Sequence, residues 1–352
     1  MTILVTGAAG FIGSNFVLDW FSKSIEEVVS LDLLTYAGKL ENLSSLNQNP
    51  HHHFVQGNIG DCNLVSSLLK KYQIRAIVNF AAESHVDRSI HKSKDFIETN
   101  IVGTYNLLES ARGYWNHLDQ DLKKDFRFLH ISSDEVYGSI NASDQPSIES
   151  CPYKPNSPYS ASKAAGDHLV RAWFQTYKLP VLTINSANNY GPYQFPEKLI
   201  PLCILNALKG KPLPIYGDGQ QIRDWLYVKD HCNAIREILN EGQIGETYNV
   251  GGWNEKTNLE VIETLCAILD ELKPKSDCKS YSDQITFIKD RPGHDRRYAI
   301  DASKLQGELN WKPQEIFETG LRKTVVWYLE NLNWLNSGRR SEYQHWIKKH
   351  YA

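Results

Sequence analysis

The chain has 352 residues, 41% hydrophobic and 22% charged, the proportions of a folded globular protein and not of a disordered or fibrous one. Lys and Arg number 38 against 41 Asp and Glu, a net charge of −3, so the basic excess of a protein that lives on nucleic-acid phosphates is missing and no nucleic-acid partner is expected. An anionic ligand must instead be met by a few placed cations. No run of about 18 apolar residues occurs, so no membrane span is expected. A strand-like run begins at Thr2 without a charged n-region or apolar h-region, and Cys62, Cys151, Cys203, Cys232, Cys266 and Cys278 form no C-x-x-C pair. Reduced thiols in a cytoplasmic protein are expected, with no zinc site, no other metal and no disulfide framework.

In chain order, residues 3–6, 28–32, 74–80, 126–132 and 181–185 read as β-branched strands. Residues 12–22, 62–71, 95–112 and 160–177 read as helices between them. This alternation predicts an α/β fold, a Rossmann-type doubly wound parallel sheet with both faces covered. The histidines His51, His52 and His53 read as an exposed loop, since three in a row rarely converge on one ion. After residue 185 prolines cluster and strands shorten, with helical stretches at 259–272 and 319–331, so a smaller C-terminal α/β domain is expected. The division falls at 1–185 and 186–352, with an interleaved boundary. The basic aromatic stretch 343–351 is expected to dock on the body.

Gly7, Gly10 and Gly13 follow the first strand and open the first helix. Glycines there permit a tight turn and let backbone N–H groups approach a pyrophosphate at a helix N-terminus. The spacing is G-x-x-G-x-x-G, whereas the common fingerprint is G-x-G-x-x-G. The second strand ends at Asp32, 19 residues after Gly13, where an acid accepts hydrogen bonds from an adenosine ribose. No Arg follows Asp32 directly, which favours NAD over its phosphorylated form.

Tyr159 and Lys163 form a Y-x-x-x-K at a helix start, and spacing of four puts both on one face. A lysine ammonium and an oxidised nicotinamide are expected to lower the tyrosine's pKa from about 10, giving a base for a sugar hydroxyl. The strand 126–132 runs out into Ser133, Asp134 and Glu135, beyond the carboxyl end of a strand, where open parallel sheets bind ligands. On a regular strand the two carboxyls would face opposite ways. They serve one substrate only if the chain has already turned; the alternative is an N-cap with a first-turn Glu.

These motifs together resemble the extended short-chain dehydrogenases that act on nucleotide sugars. The S-x-D-E-V-Y-G segment, Ser132-Ser133-Asp134-Glu135-Val136-Tyr137-Gly138, is similar to that of the dTDP-glucose 4,6-dehydratases. Related epimerases lack that acid pair, and decarboxylases keep only the Glu. Residues 81–89, 188–192, 195–201, 223–228 and 290–298 are similar to the same subfamily, so the likeness spans residues 2–347. The resemblance implies a lyase of deoxysugar synthesis with Tyr159 as base at the carbon-4 hydroxyl. It implies Lys163 on the nicotinamide ribose, Glu135 as base at carbon 5 and Asp134 as acid at the carbon-6 hydroxyl. Ser133 would bond the 4-hydroxyl.

For NAD the resemblance implies Gly7, Gly10, Phe11, Ile12 and Gly13, then Asp32, Leu33, Leu34 and Thr35. Asn58, Ile59, Phe80, Ala81, Ala82 and Ser84 follow, with Thr99 and Asn189 and the Tyr159–Lys163 pair. For the substrate, dTDP-glucose, it implies Ser84, Ser133, Asn188, Glu197, Lys198 and Leu199. Pro214, Ile215 and Tyr216 would border the base. Arg223, Lys198 and Arg291 would meet the diphosphate with hydrogen bonds added by Asn188, Asn258 and His294, and Asp290 is a further substrate residue. Arg offers phosphate a bidentate fork. Three positions depart from the family: Ser133 stands where Thr is usual, Asn58 where Asp is usual, and Ser186-Ala187 where Cys-Ser is usual. A homodimer through the helices 95–112 and 160–177 is implied. UDP-glucose dehydration, another reaction of the superfamily and a non-catalytic NAD-binding regulator stay open, though a regulator has no need of all four reactive side chains.

Overall fold

The computed structural model describes residues 2–337, and the expected docking of 343–351 lies outside the described residues. Among the described residues six strands alternate with helices: β1 (Thr2–Thr6), β2 (Glu27–Asp32), β3 (His52–Gln56), β4 (Ile74–Asn79), β5 (Arg127–Ser133) and β6 (Val181–Ser186). Then come β7 (Asn188–Tyr190), β8 (Leu213–Tyr216), β9 (Ile222–Tyr227), β10 (Thr247–Val250), β11 (Glu255–Thr257) and β12 (Ile285–Ile288). The main sheet is β10-β6-β5-β4-β1-β2-β3, parallel throughout. Its central strands are buried on both faces, β1 and β6 along their whole length, which is why they read as near-continuous apolar runs.

The strand order reverses between β1 and β4. Loops leaving these two neighbours turn to opposite faces, and a crevice opens at their carboxyl ends. Every motif singled out in the first half follows a strand of this sheet, so all of them arrive at one edge.

Two expectations fail locally. His52 and His53 are not in an exposed loop; they begin β3 and pair with Val28 and Val29 of β2. Pairing at a sheet edge is made by the main chain, so it does not require apolar side chains, and the His52 ring hydrogen-bonds Ser30 Oγ at 2.9 Å. The helix expected over 95–112 is interrupted. A turn at Ser93–Phe96 passes through a π-helix, Ile97–Gly103, into the helix Thr104–Asn116. The wide turn points Asn100 inward, where its amide donates to Glu83 O (3.0 Å) and Ser162 Oγ (2.8 Å) and accepts from Glu83 N (2.9 Å). Such π segments arise where a side chain must be re-aimed.

The second half holds a three-stranded sheet, β11-β9-β7, and the pair β12-β8. A second core gathers Tyr190, Ile204, Trp225, Leu265, Phe317 and Tyr328 beneath the helices Leu199–Ala207, Asn258–Leu272 and Phe317–Glu330. The helix Asn258–Leu272 starts with a reciprocal cap between Thr257 and Glu260. From this half β10 returns to pair with β6, so the two halves share the main sheet.

Tyr190 passes so close to the helix Phe317–Glu330 that a Cβ on Gly320 would lie 2.2 Å from its hydroxyl. Alanine at 320 gains up to about 1 kcal/mol of helix propensity. It displaces a ring that is wholly buried, at a cost of about 1–3 kcal/mol. Gly320→Ala is therefore expected to be less stable in urea unfolding; an unchanged midpoint would mean that the ring yields freely.

Candidate functional site

The first cleft is built on the glycine loop. Gly7 sits at φ +64, and a Cβ there would fall 2.7 Å from Ala81 N; a Cβ on Gly13 would fall 2.2 Å from Gly7 O. Both glycines are forced by close packing of β1, β4 and the first helix. Gly10 differs, because its Cβ would meet only Gly7 O at 3.2 Å and would otherwise enter the cleft. The helix Phe11–Lys23 begins at Gly10 with no side-chain cap, leaving first-turn N–H groups open to an anion. This bare backbone fits a dinucleotide pyrophosphate.

Asp32, at the end of β2, accepts from Ala9 N (2.9 Å) and Leu34 N (2.8 Å), which ties the glycine loop to the next turn. Burial pushes its carboxyl up, and those amides pull it back. Phe11, Ile12, Leu33, Thr35, Asn58, Ile59, Phe80, Ala81, Ala82, Ser84 and Thr99 all line this cleft. Leu34 does not; it holds the turn at φ +56 and contributes its N–H. Sequence reasoning missed Gly38, where a Cβ would lie 2.8 Å from Asp32 Oδ1, and also Phe195, Gln194, Ile131 and Ser132. A glycine six residues after Asp32 was a usable signal for the first; the others reach the cleft only through the fold.

Tyr159 and Lys163 enter the same cleft from the helix Pro158–Tyr177, whose start is fixed by a Ser157–Ser160 capping box with Pro158 at the first position. Lys163 Nζ donates to Ile131 O at 2.7 Å. The expected lowering of the tyrosine by the lysine is not what the protein alone provides. Burial pushes the Tyr159 phenol up, the charge of Glu135 adds to this, and a hydrogen bond with Ser133 opposes it. Burial lowers Lys163 to about 8, against the pull of Asp167. In a low-dielectric cleft the loss of hydration outweighs a neighbouring charge.

Ser133 ends β5, and the chain turns at once into a short 3-10 helix, Asp134–Tyr137. The turn resolves the facing problem of adjacent residues. Ser133 is the cap, its Oγ accepting from Glu135 N (3.2 Å) and donating to Asp134 Oδ1 (3.3 Å). Asp134 is buried, and its Oδ2 has no hydrogen-bond partner among the described residues. Burial, the charge of Glu135 and that of Asp224 push it far above the usual carboxylate range, with Arg223 opposing. Glu135 is raised by burial too, but Arg291, Arg223 and Lys198 pull it back. The two carboxyls thus differ in their surroundings: neighbouring carboxylates add to the rise of Asp134, and three cations oppose the rise of Glu135.

A second cleft meets the first and takes in Glu135, Asn188, Asn189, Glu197, Lys198, Leu199, Pro214, Ile215, Tyr216, Arg223, Asn258, Arg291 and His294. Asn189 lies here, with Nδ2 on Ala187 O (3.0 Å) and Oδ1 toward His231 (3.0 Å). Asp290 stands behind, bonding His294 Nδ1 at 2.6 Å. Burial and the Arg291 charge lower His294 to about 4. Arg223 donates to Ile222 O and Asp295 O and lies over the Tyr298 ring at 4.5 Å. Arg291 pairs with Asp87 at 2.7 Å, and the Tyr216 hydroxyl donates to the same carboxylate. His85, Asp87 and Trp225 also line this cleft and were not assigned from sequence, although 81–89 and 223–228 had been marked by their resemblance.

Gln194, Glu197 and Lys198 border both clefts. Lys198 Nζ donates to Ser84 O at 2.8 Å, and Tyr36 donates to Glu197 Oε1 at 3.0 Å. Burial raises Glu197 to about 7 despite Lys198 and Arg88. Among the described residues no cluster of His, Cys, Asp and Glu suits a metal ion, and no helix is long and apolar enough to cross a membrane.

Residues 4–324 match the family described as GDP-mannose 4,6 dehydratase. A dTDP-glucose 4,6-dehydratase of Salmonella typhimurium is 55% identical over 100% of this chain and 99% of its own. One from Xanthomonas campestris pv. campestris is 59% identical over 95% of each. The crystal structure of DesIV, a dTDP-glucose 4,6-dehydratase from Streptomyces venezuelae with NAD and TYD bound, superposes with a TM-score of 0.87 at 44% identity, covering 96% of this chain and 100% of that one.

The raised Glu197 carboxyl makes a stability prediction. Its folded value of about 7 exceeds the ordinary 4.5, so folding takes up a proton between those limits and this group's contribution falls as pH rises through them. Glu197→Gln keeps an acceptor for Tyr36 and removes the buried charge. In urea unfolding of ligand-free protein it should match wild type near pH 4 and exceed it by about 2 kcal/mol at pH 8. A variant less stable at pH 8 would show that the surrounding cations need the charge.

Proposed function

The chain belongs to the GDP-mannose 4,6 dehydratase family, and from that premise we propose that it removes water from dTDP-glucose with bound NAD. The product is dTDP-4-keto-6-deoxyglucose, made in the cytoplasm for deoxysugar synthesis. One observation carries the reading: two adjacent carboxyls, Asp134 and Glu135, share a turn beside Tyr159 but sit in opposite electrostatic surroundings. Oxidation or epimerisation alone has no use for an acid and a base side by side.

NAD supplies a hydride acceptor for carbon 4 and, once reduced, a hydride donor for carbon 6. The glycine loop and Asp32 hold its adenosine diphosphate end, and Lys163 holds its nicotinamide ribose. Tyr159 takes the proton of the carbon-4 hydroxyl, with Ser133 orienting that hydroxyl. Glu135, whose rise on burial Arg291, Arg223 and Lys198 oppose, takes the proton from carbon 5, acidified by the new ketone. Asp134 gives its proton to the departing carbon-6 hydroxyl, and Glu135 later returns one to carbon 5.

Arg223, Lys198 and Arg291 meet the diphosphate, with Asn188, Asn258 and His294 adding hydrogen bonds. Pro214, Ile215 and Tyr216 border the thymine. We assign cofactor binding mainly to 1–185 and sugar-nucleotide binding mainly to 186–352, with β10 shared. We also assign a homodimer. Ile97, Val102, Tyr105 and Tyr177 are large apolar side chains left exposed on the π-turn and on the helices Thr104–Asn116 and Pro158–Tyr177, where a second copy would cover them.

Purified protein incubated with dTDP-glucose, and separately with UDP-glucose, is expected to remove one water from the dTDP sugar by mass spectrometry. Preference for the UDP sugar would move the assignment to uracil nucleotides. Asp134→Asn should still oxidise carbon 4, so reduced-nicotinamide absorbance should appear on mixing and persist while turnover falls by about 10²-fold or more. Normal turnover by this variant would remove Asp134 from the acid role. Light scattering after gel filtration should give twice the chain mass, and a monomer alone would rule out the dimer.

A further inference from the structure

Lys163 is an ammonium buried to 4% exposure, and the one hydrogen bond found for it goes to the carbonyl of Ile131. A buried charge of this kind persists only with a counter-charge. Asp167 lies one turn further along the same helix, on the same face, and is equally buried. Its own surroundings fix its form. Ser132 Oγ donates to Oδ2 at 2.8 Å, and the Tyr153 hydroxyl also bonds the carboxylate.

The third neighbour is His130, whose Nε2 faces Asp167 Oδ1 at 3.5 Å, a charge–dipole contact longer than a hydrogen bond. The ring's tautomer follows from a chain of directed bonds across the sheet. Ala81 N donates to Thr6 Oγ1 (3.3 Å), so the Thr6 hydroxyl proton goes to Asn79 Oδ1 (2.6 Å). The Asn79 amide is then oriented with Nδ2 donating to His130 Nδ1 (3.1 Å). With Nδ1 an acceptor, the ring proton is on Nε2 and points at Asp167. Ser132 and Tyr153 hold the carboxylate and the Nε2–H dipole points toward it, and all three oppose the effect of burial and favour the ionised acid. The chain starts at a backbone amide lining the cofactor cleft and ends at the lysine's helix.

We propose that Asp167 is a positioning residue for this reaction: it is the counter-charge that keeps the Lys163 ammonium beneath the cofactor cleft. The inference rests on the dehydratase reading for its consequence, since Lys163 acts there on the ribose and on Tyr159. Burial lowers Lys163 to about 8 and raises Asp167 to about 7, and each opposes the shift of the other. The other ionisable groups facing the pair are His130 on β5, Tyr153 ahead of the helix, Tyr137 on the 3-10 turn and Tyr159 itself. Strand β6 presents no ionisable side chain, and the π-turn presents the neutral Asn100. Asp87 of the helix Val86–His91 is engaged with Arg291, and the charges of Ser93–Phe96 are exposed.

The test is a ¹³C-lysine NMR titration of ligand-free protein, with the Lys163 signal assigned by its loss in Lys163→Arg. A midpoint near 8 is expected in wild type. It should fall by about one pH unit or more in Asp167→Asn and return toward wild type in Asp167→Glu. With dTDP-glucose the alkaline limb of the pH–rate profile should be retained by Asp167→Glu, and Asp167→Asn should lose turnover at neutral pH. An unmoved Lys163 midpoint in Asp167→Asn overturns the proposal. Should that variant not fold, the wild-type Asp167 ¹³Cγ signal must show a step at the Lys163 midpoint, and a flat response overturns it equally. Wild type inactive on dTDP-glucose would sink the dehydratase reading, and the titration would still decide Asp167.

Discussion

Charged and titratable groups packed at the carboxyl end of one sheet govern the rest of this structure. Tyr159, Lys163, Asp134 and Asp167 are all buried there, with the half-buried Glu135 among them. Unpaired, each would shed its charge, because a low-dielectric interior disfavours ions. They coexist because each has a different set of partners: three cations around Glu135, like charges around Asp134, and hydrogen-bond donors around Asp167. This arrangement moves each group's proton affinity away from that of a free side chain in water.

The parallel sheet makes the clustering possible. Strand order reverses between β1 and β4, so the loops after β1, β2, β4, β5 and β6 empty into one crevice. The backbone contributes as much as the side chains. Gly7 and Gly13 let loop, strand and helix touch, and the turn at Asp134 re-aims two carboxyls that an extended strand would have separated. The π-turn at Ile97–Gly103 does the same for Asn100, which ties Glu83 to Ser162 on the helix Pro158–Tyr177.

The second half is bound into this arrangement and does not merely cover it. Strand β10 pairs with β6, Lys198 reaches the carbonyl of Ser84, and Tyr36 from the first half bonds Glu197 from the second. The cations that oppose the rise of Glu135, Arg223, Arg291 and Lys198, come entirely from the second half. The electrostatic state of the Asp134–Glu135 pair therefore depends on both halves being in place.

Local chemistry made the loop glycines, Asp32, Tyr159, Lys163 and the Asp134–Glu135 pair legible from sequence. A bare turn, a ribose acceptor, a one-turn spacing and a strand end are short-range constraints written in consecutive residues. The alternation of strands and helices was legible for the same reason, since its periods are local. His52 and His53 were misread because edge pairing depends on main-chain neighbours that side-chain pattern does not report. The π-turn was missed because a helical period does not show one inserted residue per turn. Tertiary structure alone decided how far burial and neighbouring charges move each carboxyl from its ordinary range. It brought His130, Ser132 and Asp167 together from β5 and a distant helix, and it set Arg291 against Asp87. Electrostatic state is a property of all neighbours in space and of the water they exclude, and neither is ordered along the chain.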